Sequence, residues 1–183
     1  MQKTTREEII SKAMEVFLQQ GYHKTSMQDL ANACGLEKGS FYHYFKSKQD
    51  LMKEVLMTVN QYFGAKIFSI AYQEDLNPKE KLEKMQEKAF RIFTSTSHPG
   101  CLVGNSVLEM VSVMPEFKDV FKAFFESWAK ANKQIFLSKY SEAEAETLAW
   151  QAIKEIEGAI MMVRLFDNTD FLKNTYQKIL SQL

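Results

Sequence analysis

Apolar residues recur along the chain at the three- and four-residue spacing of α-helices, with no strand-like alternation and no internal repeat. Thr5 and Glu8 form a capping box before the first apolar run, and Gly21 follows that run as a glycine C-cap. The helices are predicted at about 6–20, 26–34, 37–44, 47–72, 78–96, 101–114, 116–139, 141–166 and 171–183. The expected fold is therefore all-α, with about nine helices and a bend near Gly64.

The stretch from Ser26 to Lys48 (SMQDLANACGLEKGSFYHYFKSK) predicts two short helices joined by a tight turn, which is the layout of a helix-turn-helix DNA-binding motif. Phe41 and Phe45 are four residues apart and are suited to the core, so the other side of this helix is expected to be exposed. The residues predicted to contact DNA are Thr25, Ser26, Lys38, Gly39, Ser40, Tyr42, His43 and Lys48.

Each of these residue types has a physical reason to meet DNA. Lys38 can reach guanine acceptors or phosphate, whereas Tyr42 and His43 can donate to phosphate oxygens without reading the base sequence. Thr25 and Ser26 stand at the start of a helix, where backbone N–H groups favour phosphate. The alternative reading is that these residues are ordinary caps and a solvated surface.

Composition and charge limit the other functions. The chain has 23 basic and 23 acidic residues, but positions 38–49 contain three lysines, one histidine and no acid. Two distant cysteines and three scattered histidines offer no zinc motif, and neither a phosphate-binding glycine loop nor a serine nucleophile elbow is present. No cofactor, metal site, catalytic residue or membrane span is expected. Without a secretory signal layout at the start, a cytoplasmic location is expected.

The segment KGSFYHYFKSK, with QQGYHKTSM and QDLANACGLEKG before it, resembles the signature of the TetR family of bacterial transcriptional regulators. PGCLVGNSVLEM, at 99–110, resembles the subgroup that includes the electrophile-sensing N-ethylmaleimide-reductase repressor. The resemblance implies a DNA-binding domain at 1–50 and an effector-binding and dimerisation domain at 51–183. It further implies a homodimeric repressor that leaves a near-palindromic double-stranded operator when a small hydrophobic molecule binds.

The last two helices are the predicted dimer interface, because family members pair these helices across a two-fold axis. The predicted interface residues are Ala149, Ala152, Ile153, Ile156, Ile160, Leu172, Tyr176, Ile179 and Leu180. The alternative is that these apolar stripes are buried within one chain.

The effector site is predicted between helices of the larger domain, where helical bundles place ligands. Its predicted residues are Phe63, Phe90, Cys101, Met110, Phe121, Phe125, Trp128 and Met162. Ordinary core packing is the alternative for each of them. Cys101, near His98 and at the start of a helix, is either an electrophile sensor or a small buried residue. A third class of function, an architectural DNA-binding protein without an effector, also stays open.

Overall fold

The computed structural model describes residues 4–95 and 100–183, and within these ranges it contains nine α-helices and no strand. The predicted all-α fold is confirmed. The helices are α1 (Arg6–Gln20), α2 (Met27–Ala33), α3 (Lys38–Tyr42), α4 (Lys48–Lys66), α5 (Pro78–Phe93), α6 (Leu102–Met110), α7 (Lys118–Phe136), α8 (Glu142–Phe166) and α9 (Asp170–Leu180). Two short 3₁₀ segments, Phe68–Tyr72 and Pro115–Phe117, follow α4 and precede α7.

Local capping explains where several helices begin. Thr5, Ser26, Asn77 and Ser141 each precede a helix, and each shares a reciprocal capping box with the residue three positions later. In each box the cap side chain accepts from a backbone N–H of the first turn. The starts of α1, α2, α5 and α8 therefore lie where the sequence predicts them.

Helix ends differ more from the prediction. α4 is predicted to continue to residue 72, but it ends at Lys66 and the chain leaves helical geometry at Ile67 (φ −121°, ψ −61°). α6 ends at Met110 and α7 begins at Lys118, so both are shorter than predicted. Apolar spacing continues through the 3₁₀ segments, and periodicity alone therefore does not mark these breaks.

The chain forms two compact units, and the first contains a segment that is distant in the sequence from the N-terminal helices. The first unit contains the chain up to Val59 together with Leu102–Phe121, and the second contains Asn60–Cys101 and Lys122–Leu183. Helix α6 therefore belongs with the N-terminal helices, although it is distant from them in sequence. A single boundary drawn along the sequence cannot describe this arrangement.

Each unit has its own apolar core. Phe41, Phe45 and Leu51 are among the fully buried side chains of the first unit. In the second unit Phe63 contacts the rings of Phe93 and Phe124 at centroid distances of 5.9 and 5.2 Å. Within the described ranges, no helix is both long enough and apolar enough to cross a membrane.

Candidate DNA-binding surface and effector site

Helix α3 has one buried and one exposed side. Phe41 is fully buried and its ring lies 6.4 Å from that of Phe45, which is equally enclosed. The exposed residues of α3 and its C-terminal end are Lys38, Gly39, Ser40, Tyr42 and His43. The five residues of this segment that are predicted to face DNA are therefore all accessible to solvent, and Tyr42 is 42% exposed.

Arg6 of α1 fixes the C-terminal end of α3. Its guanidinium donates to the backbone carbonyl of Tyr44 at 2.6 Å and pairs with the Glu54 carboxylate of α4. The same group lies 4.1 Å from the centroid of the Phe45 ring, which adds a cation–π contact. Tyr44 in turn donates its hydroxyl to the Thr4 carbonyl at 2.9 Å. One arginine therefore ties three helices of the first unit together beneath the exposed surface.

The turn between α2 and α3 depends on Gly35, which has φ +65°. This left-handed conformation is strained for residues with a Cβ atom. A Cβ at position 35 would meet no other atom, so glycine is favoured here by the backbone conformation and not by lack of space. The glycine sets the direction in which α3 leaves α2.

Two of the residues predicted to contact DNA have their polar groups turned inward. Thr25 is 1% exposed and its hydroxyl donates to the Gly21 carbonyl at 2.7 Å. The Lys48 ammonium donates to the carbonyls of Tyr22 and Thr25, both at 2.7 Å, and lies 4.2 Å from the Tyr22 ring centroid. Burial lowers the pKa of Lys48. These two side chains stabilise the turn before α2, and their contact with DNA stays a prediction.

Ser26 and Lys46 complete the surface. Ser26 is exposed and caps α2, with its hydroxyl and backbone N–H both donating to Asp29. Lys46, in the turn after α3, is also exposed, and the prediction omitted it. The acid-free segment 38–49 contains Lys46, but the prediction chose residues on α3 and at the starts of α2 and α4 and omitted the turn after α3. We add Lys46 to the candidate DNA contacts.

The C-terminal end of α6 packs on the turn between α1 and α2. The Glu109 carboxylate accepts from the backbone N–H of His23 at 3.2 Å, and Nε2 of His23 lies 3.0 Å from the Glu109 carbonyl oxygen. The carboxylate also covers Gly21, which has φ +80°. Sequence reasoning missed this contact because 86 residues separate its two partners.

The predicted effector residues do not form one cavity. A small enclosed cavity of about 20 Å³, room for about one water molecule, lies in the second unit. Of the predicted residues, Phe63 and Trp128 line it. Phe90 instead contacts the Tyr176 ring at 6.3 Å. Met110 and Phe121 belong to the core of the first unit, and Cys101, Phe125 and Met162 are buried or half-buried away from the cavity lining.

The predicted dimer residues are mostly packed inside the chain. Eight of the nine are buried, and Leu180 is half-buried. Ala152, Ile156, Tyr176 and Ile179 line the small cavity. This burial favours the alternative of core packing within one chain, because the most regular apolar stripe on an amphipathic helix commonly faces its own core. A second apolar stripe on α8 and α9 stays exposed: Trp150, Met161, Leu165, Phe166 and Phe171.

Three polar groups lie together in the second unit. The Cys101 thiol hydrogen-bonds to Glu157 of α8, and both groups lie within electrostatic reach of the phenol of Tyr176 in α9. Burial raises the pKa of Glu157, and burial together with Glu157 raises that of Tyr176 beyond its usual range. His98 lies outside the described residues. No group of three metal-binding side chains occurs in the part of the chain that the structure describes.

Comparison with known proteins identifies both parts of the chain. The model of the bacterial regulatory proteins of the tetR family matches residues 9–55. The model of the LmrA/YxaF-like C-terminal domain of transcriptional regulators matches residues 78–178. The HTH-type transcriptional repressor DhaR of Mycobacterium sp. (strain GP1) is 25% identical over 171 residues, which cover 90% of this chain and 85% of DhaR.

Solved structures share the whole fold. A TetR regulator from Legionella pneumophila has a TM-score of 0.90 at 24% identity, with both chains covered completely. The regulator CifR, solved as a cysteine mutant with 26-bp operator DNA, has a TM-score of 0.81 at 19% identity, covering 99% of this chain and 97% of CifR.

The predicted subgroup is only a distant relative. Reduced NemR of E. coli has a TM-score of 0.77 at 17% identity, covering 95% of this chain and 94% of NemR, which shows a common fold alone. The C-terminal half matches the LmrA/YxaF-like type instead. The chain belongs to the TetR family of DNA-binding transcriptional regulators, which are not enzymes, and carries an LmrA/YxaF-like C-terminal domain.

Proposed function

We propose that the protein is a homodimeric repressor that binds a near-palindromic operator through α3 and leaves it when a small hydrophobic effector binds. The observation that carries this proposal is the exposed surface of α3, which is basic, free of acids and anchored from beneath by buried aromatic residues. Lys38 and Lys46 supply positive charge, and Tyr42 and His43 supply donors for phosphate. DhaR is named as a repressor and CifR was solved with operator DNA, which supports the same role here.

A second copy of the chain is the proposed partner of the exposed stripe on α8 and α9. Leu165 is 66% exposed, Met161 57% and Phe171 40%, whereas large apolar side chains on helices otherwise face a core. Pairing the last two helices is typical of the family. Two α3 helices held by such a dimer would meet successive turns of the major groove, and this geometry requires a near-palindromic site.

The proposed effector enters the second unit by rearranging its core. The cavity of about 20 Å³ is too small for an organic molecule, but Phe63, Phe68 and Trp128 around it form an adaptable aromatic lining. A ligand that separates these side chains would stabilise a different arrangement of the helices. If the protein in that arrangement binds DNA less tightly, ligand binding releases the operator.

Electrophile sensing by Cys101 is the second candidate mechanism. The hydrogen bond between its thiol and Glu157 favours it, since a neighbouring carboxylate can accept the thiol proton. Cys101 is only 3% exposed, so a reagent needs an opening of the core to reach it. Cys101→Ser separates the mechanisms: unchanged operator release by N-ethylmaleimide or a quinone rejects electrophile sensing, whereas loss of that release supports it.

Selection of bound duplexes from random DNA tests the proposed function. We expect a palindromic sequence to be enriched, Tyr42→Phe to weaken binding to all sequences alike, and Lys38→Ala also to alter the preferred sequence. The exposed Lys84 on α5 has no ion pair among the described residues, and Lys84→Ala is the matched control that keeps full affinity. Binding without enrichment would favour the architectural class, and absence of binding would reject both.

A further inference from the structure

Two buried polar atoms of the second unit have no hydrogen-bond partner among the residues described in the structure. They are Oε1 of Glu157 and the hydroxyl oxygen of Tyr176, and the Tyr176 side chain belongs to a residue that is only 7% exposed. A folded chain normally satisfies such groups, so an orphaned carboxyl oxygen next to an orphaned phenol requires an explanation. A bound molecule that supplies the missing partner is one.

The Tyr176 phenol lies within electrostatic reach of Glu157, and the side chains around Tyr176 are mainly apolar and aromatic. The Tyr176 ring lies 6.3 Å from that of Phe90, and Tyr176 also lines the small cavity together with Phe63 and Trp128. Among the described residues, the Glu157 carboxyl hydrogen-bonds to the Cys101 thiol, which is a weak donor. Among the described ion pairs none reaches Glu157, and the nearby Lys178 instead binds Glu155 at 2.7 Å.

The contrast between the two acids of α8 shows what is missing. Glu155 accepts from both Lys178 and Gln151, and these hydrogen bonds lower its pKa. Glu157 has no cationic partner in the part of the chain that the structure describes, and burial raises the pKa of its carboxyl. A positive charge placed beside Glu157 would compensate the buried carboxylate, as Lys178 does for Glu155.

We propose that Glu157 recognises the effector and that the effector is an organic cation, a protonated amine on an aromatic or aliphatic body. The amine donates to Oε1 of Glu157, and the Tyr176 and Phe90 rings supply cation–π contacts. The apolar body occupies the region now closed around Phe63 and Trp128. An alcohol of the same shape makes one neutral hydrogen bond, whereas the ammonium adds a charge-assisted one of roughly twice the strength. This inference rests on the proposed regulatory function, because it assigns the ligand class of that regulator.

Titration calorimetry with two matched probes tests the inference. The probes are 3-phenylpropylamine, which is protonated at neutral pH, and 3-phenylpropan-1-ol, its neutral counterpart. We expect the amine to bind at least about tenfold tighter than the alcohol, a difference of about 1.4 kcal/mol. In Glu157→Gln that preference should fall to within about twofold, because the neutral amide keeps the shape without the charge. Glu155→Gln is the matched control on the same helix and should keep the preference. Tyr176→Phe provides a second variant, which keeps the aromatic ring and is expected to keep the preference for the amine.

Three results would overturn the inference: equal or tighter binding of the alcohol, a preference that survives Glu157→Gln, and no binding of either probe by the folded protein. A fourth contradicting result would come from native mass spectrometry of Glu157→Gln. If this variant lost the dimer but bound the amine as before, the carboxyl would serve subunit pairing and not ligand recognition. The proposed function is judged separately by operator selection without any probe. A protein that selects a palindrome but ignores the amine would contradict only the ligand class.

Discussion

Gly21→Ala should destabilise the first unit by about 2–4 kcal/mol. Gly21 has φ +80° and ψ 166°, a region that is nearly restricted to glycine and costs other residues on the order of 1–3 kcal/mol. A Cβ at this position also meets the Glu109 carboxyl group, with Oε2 at 2.9 Å and Cδ at 3.0 Å. Moving that carboxylate away breaks its hydrogen bond to the His23 backbone, a further loss of about 1 kcal/mol.

A double-variant cycle separates these two contributions. In a Glu109→Ala background the crowding is absent and only the backbone strain is left, so the cost of Gly21→Ala should fall by about 1 kcal/mol. Gly64→Ala in α4 is the matched control, because Gly64 has open space for a Cβ and no positive φ; there we expect a gain of about 0.5–1 kcal/mol.

Urea unfolding at one fixed protein concentration measures all of these differences, since subunit pairing makes the apparent stability depend on concentration. If Gly21→Ala were as harmless as Gly64→Ala, the conformation assigned to this turn would be wrong. If its cost were the same with and without Glu109, the contact between α6 and the turn would be refuted.

Three further predictions concern other sites. Glu157→Gln should be more stable than the native protein at neutral pH. Burial raises the pKa of Glu157, so the native protein loses stability as the pH rises above 4.5, the ordinary pKa of this carboxyl. In thermal melts the difference in stability should vanish below that pH. Met161→Lys should convert the dimer to monomer in analytical ultracentrifugation, whereas Lys84→Ala should not; a persistent dimer would exclude the exposed stripe as the interface. Arg6→Ala should lower the free energy of unfolding by about 1 kcal/mol, because the ion pair with Glu54 is largely solvent-exposed and the guanidinium makes one further hydrogen bond, to the Tyr44 carbonyl. Unchanged urea unfolding would contradict the anchoring role of Arg6.

The sequence was most informative where local chemistry decides the structure. Capping boxes locate the starts of α1, α2, α5 and α8, and the pair Phe41 and Phe45 correctly separates the buried from the exposed side of α3. These features depend on residues three or four positions apart. The helix-turn-helix motif is therefore readable from one segment of the chain.

Contacts between distant segments were not readable. The inward orientation of Lys48 depends on carbonyls 23 and 26 residues away, and a charged side chain next to basic neighbours looks like a DNA contact in the sequence. The apolar stripe with Ile153 and Ile156 is predicted at the dimer interface from the family resemblance, since periodicity alone does not distinguish a core within one chain from a core between two. Exposure of Met161 and Leu165 becomes visible only when the packing of α8 against α9 is known.

Native mass spectrometry of the protein with its selected operator duplex tests the central proposal most directly. Each chain has a mass of 21.2 kDa, and the proposal predicts one duplex carrying two chains, with no complex containing a single chain at saturation. Met161→Lys should abolish that complex while the folded chain persists. A single chain bound per duplex, or a dimer that binds no selected sequence, would contradict the account of a homodimeric operator-binding repressor.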